Sequence, residues 1–284
     1  MRALPLILLV ACEARTPEDF SEWFHLGDPL DVEEHIDFTS EPYDFPEDRR
    51  NGIERIERTA FNFESGFGTH LAPENFTPAV SECDNWAPLD SLPRVIEGIV
   101  TAHPRMYFKT HGCTRDDEKY YGSYFIEDRT GGLFVLGDSK VAHFDIGAKV
   151  RLRVRGTRTS FGVSMIYLHD VVAIDHGPFP VSYVAVERPF DERDVGKVRR
   201  VTGTISAEPD TFGTAFLQPD GYDAICAPPL AEDCALISLD MELNRRGISF
   251  TAGERVTVTG PILFSYDEYS LVLTRVGQIE RHDP

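Results

Sequence analysis

The chain has no surplus of positive charge, no second long apolar run and no familiar catalytic signature. Its 47 Asp and Glu outnumber 28 Lys and Arg, for a formal charge of −19. Binding to a polyphosphate backbone calls for the reverse balance, so the composition speaks against nucleic acid. After the first ten residues no stretch approaches the roughly 20 apolar residues of a membrane-spanning helix. HExxH, GxSxG, a P-loop and a GxGxxG following a strand are all missing. His103, His111, His143 and His169 are scattered over different elements. Glu33-Glu34-His35 lacks a further ligand at metal-binding spacing, and Asp116-Asp117-Glu118, between Arg115 and Lys119, reads as a solvated charge run. No catalytic residue, metal or cofactor is therefore assigned, and the chain is expected not to be an enzyme. Cysteine is also sparse, five in 284 residues, and the CxxC spacing that zinc sites favour is absent.

What is present begins at the first residues. Met1-Arg2 leads into the apolar run Ala3–Val10, followed by Ala11 and Cys12. A basic start, a short apolar core and a small residue make a secretory leader. Leu9-Val10-Ala11-Cys12 resembles the lipobox of bacterial lipoproteins; an ordinary short signal peptide is the alternative. The resemblance implies a signal peptide over residues 1–11, cleavage before Cys12 and acylation of Cys12, with palmitate among the acyl groups. Several acyl chains anchor a protein stably where one does not. Glu13, in place of the Asp that marks inner-membrane retention in such proteins, favours the outer membrane. The expected location is thus the bacterial cell envelope, with the membrane met through the lipid. With Cys12 set aside, Cys83, Cys113, Cys226 and Cys234 form an even set, which suggests disulfides in an exported chain. Three pairings exist; proximity favours Cys226 with Cys234 and Cys83 with Cys113.

The acidity is concentrated early. Residues 1–90 hold 20 Asp and Glu against 6 Lys and Arg. Residues 12–91 read as a solvated acidic tether, with a cation-binding surface as the sharper alternative. Phe20, Trp23, Phe24, Phe38, Tyr43 and Phe45 are too many aromatics for a bare spacer, so part of this segment is expected to lie against a folded surface.

From about Arg94 the texture becomes that of strands. Val95–Ala102, Gly122–Asp128, Gly132–Leu136, Lys149–Thr157 and Val163–Ile174 are predicted, separated by Gly, Asp and Asn. Lys149-Val150-Arg151-Leu152-Arg153-Val154-Arg155 alternates strictly, as a half-buried strand requires. The pattern then returns. Ile96-Glu97-Gly98-Ile99-Val100 matches Val201-Thr202-Gly203-Thr204-Ile205. Tyr124-Phe125-Ile126-Glu127-Asp128 matches Ala215-Phe216-Leu217-Gln218-Pro219. Phe144-Asp145-Ile146-Gly147 matches Phe250-Thr251-Ala252-Gly253. Two copies of one module follow, residues 92–176 and 195–284, joined by a proline-rich linker at 177–194.

Each copy runs from a strand with a central glycine to a hairpin, then through Phe-x-x-Gly-x-(Lys/Arg)-Val into a long strand and a returning one. This order resembles the OB-fold, a five-stranded Greek-key barrel. Gly98 and Gly203 suit the sharp bend such a barrel needs in its first strand, and Gly147 and Gly253 suit tight turns. The expected fold is therefore all-β, with two OB-like five-stranded barrels in tandem after an irregular acidic segment. The resemblance places a ligand on the outer face of strands two and three. In module one that candidate face holds Tyr107, Lys109, Tyr121 and Tyr124, with Arg158 and Phe161 in the later loop; core filling is the competing role for Tyr124. In module two it holds Phe212, Phe216 and Tyr222, with Tyr266 and Tyr269. The resulting expectation is a lipid-anchored, non-enzymatic binding or scaffold protein for a protein or glycan partner. A surface nucleic-acid binder and an unrecognised hydrolase are the alternatives.

Overall fold

A computed structural model of the chain describes residues 35–44, 52–53, 87–88, 95–102, 108–111, 118–138, 144–160, 163–211, 213–220, 236–241, 243, 247–265 and 268–282. The described part is all-β. Two short strands lie ahead of the repeats, β1 (Phe38–Thr39) and β2 (Ala87–Pro88). Module one supplies β3 (Val95–Ala102), β4 (Phe108–His111), β5 (Glu118–Glu127), β6 (Gly132–Asp138), β7 (Lys149–Ser160) and β8 (Val163–Asp175). The linker carries β9 (Val181–Ser182) and β10 (Val184–Ala185). Module two supplies β11 (Val198–Ile205), β12 (Thr214–Pro219), β13 (Ile237–Met241), β14 (Arg255–Ser265), β15 (Glu268–Leu273) and β16 (Ile279–Arg281).

Module two is a closed five-stranded barrel. β11 pairs with β12, β12 with β13, β13 with β15 in parallel, β15 with β14, and β14 returns to β11. Alternation decides what faces in: Ala215 and Leu217 of β12 and Ile237 and Leu239 of β13 enter the core with Val201, Val256, Val258 and Phe250. Gly203 sits where β11 bends across both halves of the barrel. A Cβ there would lie 2.1 Å from the Gln218 carbonyl oxygen, so no other residue fits. The buried Gln278 locks the end of β15: its Oε1 accepts from the Thr274 and Arg275 amides (2.7 and 2.9 Å), and its Nε2 donates to the Val272 and Thr259 carbonyls (2.9 and 3.1 Å).

Module one forms a sheet in the order β2-β7-β3-β5-β6-β8, with β4 added to β5. β8 pairs antiparallel with β7 and parallel with β6. Its core gathers Ile96, Val100, Tyr124, Ile126, Leu133, Val135, Phe144, Val150 and Ile166. The repeat read from the sequence extends to single hydrogen bonds. Gly147 N donates to Val100 O as Gly253 N does to Ile205 O, both at 2.9 Å. Both glycines have positive φ, 82° and 85°.

The segments outside the repeats are tied to this frame. β1 pairs in parallel with β9, and Ile36 and Tyr43 are buried with Ile99, Ile146, Val181 and Val198. Ile53 enters the core of module one. Residues 36, 43 and 53 of the acidic segment are thus buried against the folded frame. The linker is more than a connection: Val181 joins the cluster beneath β1, and Phe190 packs into the barrel.

Candidate functional site

Of the predicted ligand face in module one, Tyr107 and Phe161 lie outside the described residues, as do Cys12, Cys83, Cys113, Cys226 and Cys234. Lys109 and Tyr121 sit on the paired strands β4 and β5, and Arg158 on β7, opposite Met165 of β8. Tyr124 is a correction. Its ring points into the core and meets Phe144 edge-on, with centroids 4.7 Å apart, and it is 2% exposed. Burial also pushes its phenol well above the usual range. It fills the core and cannot stack on a ligand.

The outer face of β5 and β6 is occupied by module two. Phe125 and Phe134 point outward from the core of module one and contact each other edge-on at 5.0 Å. They are nonetheless buried, because Leu263 of β14 and Val272 of β15 pack onto them together with Ala102 and Val163. The seam between the sheets also brings Gly132 against Gly196, backbone to backbone. A small cavity remains there, lined among others by Phe134, Ser164, Val195 and Phe264.

Polar groups close the seam's edge. The buried Glu127 accepts from the Val198 amide at 3.0 Å. The next residue, Asp128, organises its own turn. Its Oδ1 accepts from the Thr130 amide, the Thr130 hydroxyl and the Gly131 amide (2.6, 2.6 and 2.9 Å), and its Oδ2 accepts from the Ile53 amide at 3.0 Å. A short 3-10 turn at Glu192–Asp194 precedes β11. Within it the fully buried Asp194 accepts from Arg188 Nη1 and Nη2 (2.7 and 3.0 Å), Arg199 Nε (2.8 Å) and the Asp191 amide (3.0 Å).

The corresponding face of module two has a different composition. Along β12 the half-buried Thr214, Phe216 and Gln218 point away from the core, and Ser238 and Asp240 lie beside them on β13. Phe216, the repeat partner of Phe125, pairs with Ser238 in register. Among these outward positions there is no cation; Arg255 nearby is tied to Asp220 at 2.5 Å. Phe212, Tyr222 and Tyr266 lie outside the described residues. Tyr269 packs on Phe264 at 4.6 Å. Exposed cations occur instead on β7, where Arg151 and Arg153 share a face with Lys149, which pairs with Glu97 at 2.8 Å.

Sequence reasoning missed Glu127, Asp194, Arg188 and Arg199. It also missed that Phe125 and Phe134 form a seam. A signal for the seam was available: Tyr124-Phe125-Ile126 and Leu133-Phe134-Val135 are apolar at three consecutive positions, the mark of strands covered on both faces. Among the described residues no group of three or more His, Cys, Asp or Glu is placed to hold a metal, and no helix is long and apolar enough to cross a membrane.

No protein-family model matches the chain and no curated protein matches it. Solved structures do overlap with it. The tetrameric p202 HIN2 domain aligns at 9% identity over 71% of this chain and 98% of its own, with a TM-score of 0.30. Fission yeast Pot1 with single-stranded DNA aligns at 10% over 66% and 83%, TM-score 0.29. A single-stranded DNA binding protein from Thermus aquaticus aligns at 14% over 67% and 92%, TM-score 0.22. Overlap at this level leaves the barrel assignment resting on the strand pairings themselves.

Proposed function

We propose that the chain is a non-enzymatic binding protein of the bacterial cell envelope, anchored through lipid on Cys12, that takes a protein or glycan partner on the outer face of β12 and β13. The observation that carries this is the Phe216 face. A partly buried ring is set among the polar side chains Thr214, Gln218 and Asp240, with no cation among the described outward positions. A phosphate backbone would need cations there. The equivalent face of module one is spent on holding the two modules together, which leaves module two as the ligand-binding copy. Module one is best understood as a second barrel of the same kind. β8 reaches both β6 and β7, and the strand order β7-β3-β5-β6-β8 repeats that of module two.

A second reading is single-stranded nucleic acid, favoured by the exposed cations of β7, Arg151 above all. A pull-down from an envelope extract separates the two. The wild-type chain should retain a protein or glycan partner in the presence of nuclease, and Phe216→Asp should lose it at least tenfold. The first reading fails if the retained material is nuclease-sensitive and is lost on Arg151→Glu while Phe216→Asp keeps it. For the anchor, Cys12→Ser should move the protein from the detergent to the aqueous phase in a phase-partition assay; a variant that still enters the detergent phase would remove the lipid from the proposal.

A further inference from the structure

We propose that Glu127 is a proton-operated latch of the seam: its carboxyl holds the Val198 amide while it carries a proton, and its ionisation loosens the junction between the two modules. Glu127 ends β5 on the module-one side, and Val198 begins β11 on the other. The 3.0 Å bond between them crosses the seam directly. A neutral carboxyl can still accept this hydrogen bond through its carbonyl oxygen, so a proton on the group does not break the contact.

The surroundings cannot hold the ionised form well. From β11, Arg199 faces the site, but its Nε is committed to Asp194 at 2.8 Å and its Nη1 to the Val198 carbonyl at 3.1 Å. Lys197, just before β11, is the second cation. From β5's own turn comes the Asp128 carboxylate, and from the segment carrying β1 comes the buried Tyr43, whose phenol oxygen accepts from the Ser182 amide at 3.2 Å. Tyr43 is itself pushed up by burial and then by Glu127 and Asp128, so the three groups share one low-dielectric pocket. Burial raises Glu127 from 4.5 to about 8. The Val198 amide, Arg199 and Lys197 oppose that rise and Asp128 adds to it.

Opening the seam admits water, returns the carboxyl to its ordinary range and releases its proton to solvent. Closed and open states therefore differ in proton binding between pH 4.5 and about 8. The closed state binds more protons, so it loses ground as pH rises through that window. Opening should grow by about tenfold per pH unit between pH 5 and 7 and level off above 8.

Amide hydrogen exchange at Val198 reads this directly, corrected for intrinsic rates and referred to the amides of Val256–Thr259 in β14. The expected result is a protection factor that falls about tenfold per pH unit in the wild-type chain and stays flat in Glu127→Gln, which keeps the acceptor and removes the titration. An equal pH dependence in both chains overturns the latch, as does a flat response in the wild type. If Glu127→Gln fails to fold, the carbon-13 shift of the Glu127 carboxyl in the wild-type protein decides. A midpoint near 8 supports the latch, and one between 4 and 5 overturns it.

Discussion

Gly196→Ala should destabilise the joined structure by ~2–5 kcal/mol and loosen the seam, the whole effect coming from one methyl group. Gly196 has φ of 76°, a conformation that costs a residue with a Cβ about 1–2 kcal/mol. The added atom would lie 2.1 Å from the Gly132 carbonyl oxygen and 2.3 Å from its carbon. Backbone cannot swing aside as a flexible side chain can, so the two sheets must part locally, and overpacking of this kind adds about 1–3 kcal/mol. Gly132→Ala meets the same obstacle from the other side, 2.0 Å from the Gly196 oxygen. It has no positive φ to violate, so it should cost less than Gly196→Ala. Both variants force the same contact apart, so the double alanine variant should be less destabilised than the sum of the singles. Urea unfolding of the four chains measures this, with exchange at the Val198 amide showing where the loss falls. Singles within ~0.5 kcal/mol of wild type, the range of ordinary surface changes, would mean the two backbones do not touch.

The strands and turns of each module were legible because their causes are local. The predicted strand Val95–Ala102 matches β3. The strands predicted at Lys149–Thr157 and Val163–Ile174 match β7 and β8 to within a few residues. Alternation and turn glycines carry that information, and Gly147 and Gly253 adopt the positive φ their place in the pattern demands. The duplication was legible for the same reason, since matched spacing needs no knowledge of contacts. How one module meets the other was not. Placing Leu263 and Val272 against Phe125 requires knowing which outward faces meet, and period-two patterning says only that a face is apolar. Tyr124 shows the same limit from the other side. A tyrosine on a strand suits a ligand face and a core equally well, and its contact with Phe144, twenty residues away, decides the matter. Asp191-Glu192-Arg193-Asp194 carries a local signal of its own. An acid three residues after an N-cap acid is a capping pattern, and both capping bonds form here.

The duplication has been put to asymmetric use. Phe125 and Phe216 are equivalent by sequence, yet Phe125 is wholly buried in the seam while Phe216 stays half-exposed. The same holds under β1, where module one presents Ile99 and Ile146 to a covering segment. The equivalent positions in module two are Thr204 and Ala252, neither of them buried. Apolar side chains on one copy and polar or small ones on the other specify which module is covered. Of the two equivalent faces, only that of module two is left partly exposed at its phenylalanine.

Removing the Asp194 carboxylate should cost about 3–5 kcal/mol, because it strands a buried guanidinium. Arg188 can turn back to water, since its side chain is 39% exposed, but that of Arg199 is 9% exposed and cannot. Asp194→Ala thus leaves Arg199 charged and desolvated without its hydrogen-bonded carboxylate, keeping the Val198 carbonyl as acceptor. Arg199→Ala should be milder, because Asp194 keeps both bonds from Arg188 and the Asp191 amide. The order of these two effects, read from urea midpoints, distinguishes a stranded charge from simple loss of packing. Equal costs would point to packing. The pH dependence gives a second check. Burial alone would raise Asp194, but hydrogen bonds from Arg188, Arg199 and the Asp191 amide outweigh it and hold the carboxyl below its ordinary 3.8. A carboxyl depressed in the folded state contributes stability above 3.8, and that contribution is lost as pH falls through the lower folded value. The wild-type chain should therefore weaken below about pH 4 more steeply than Asp194→Asn. The asparagine variant, already without the charge, should change less over the same range. A parallel decline in both would assign the acid sensitivity to other carboxylates and leave Asp194 a packing residue.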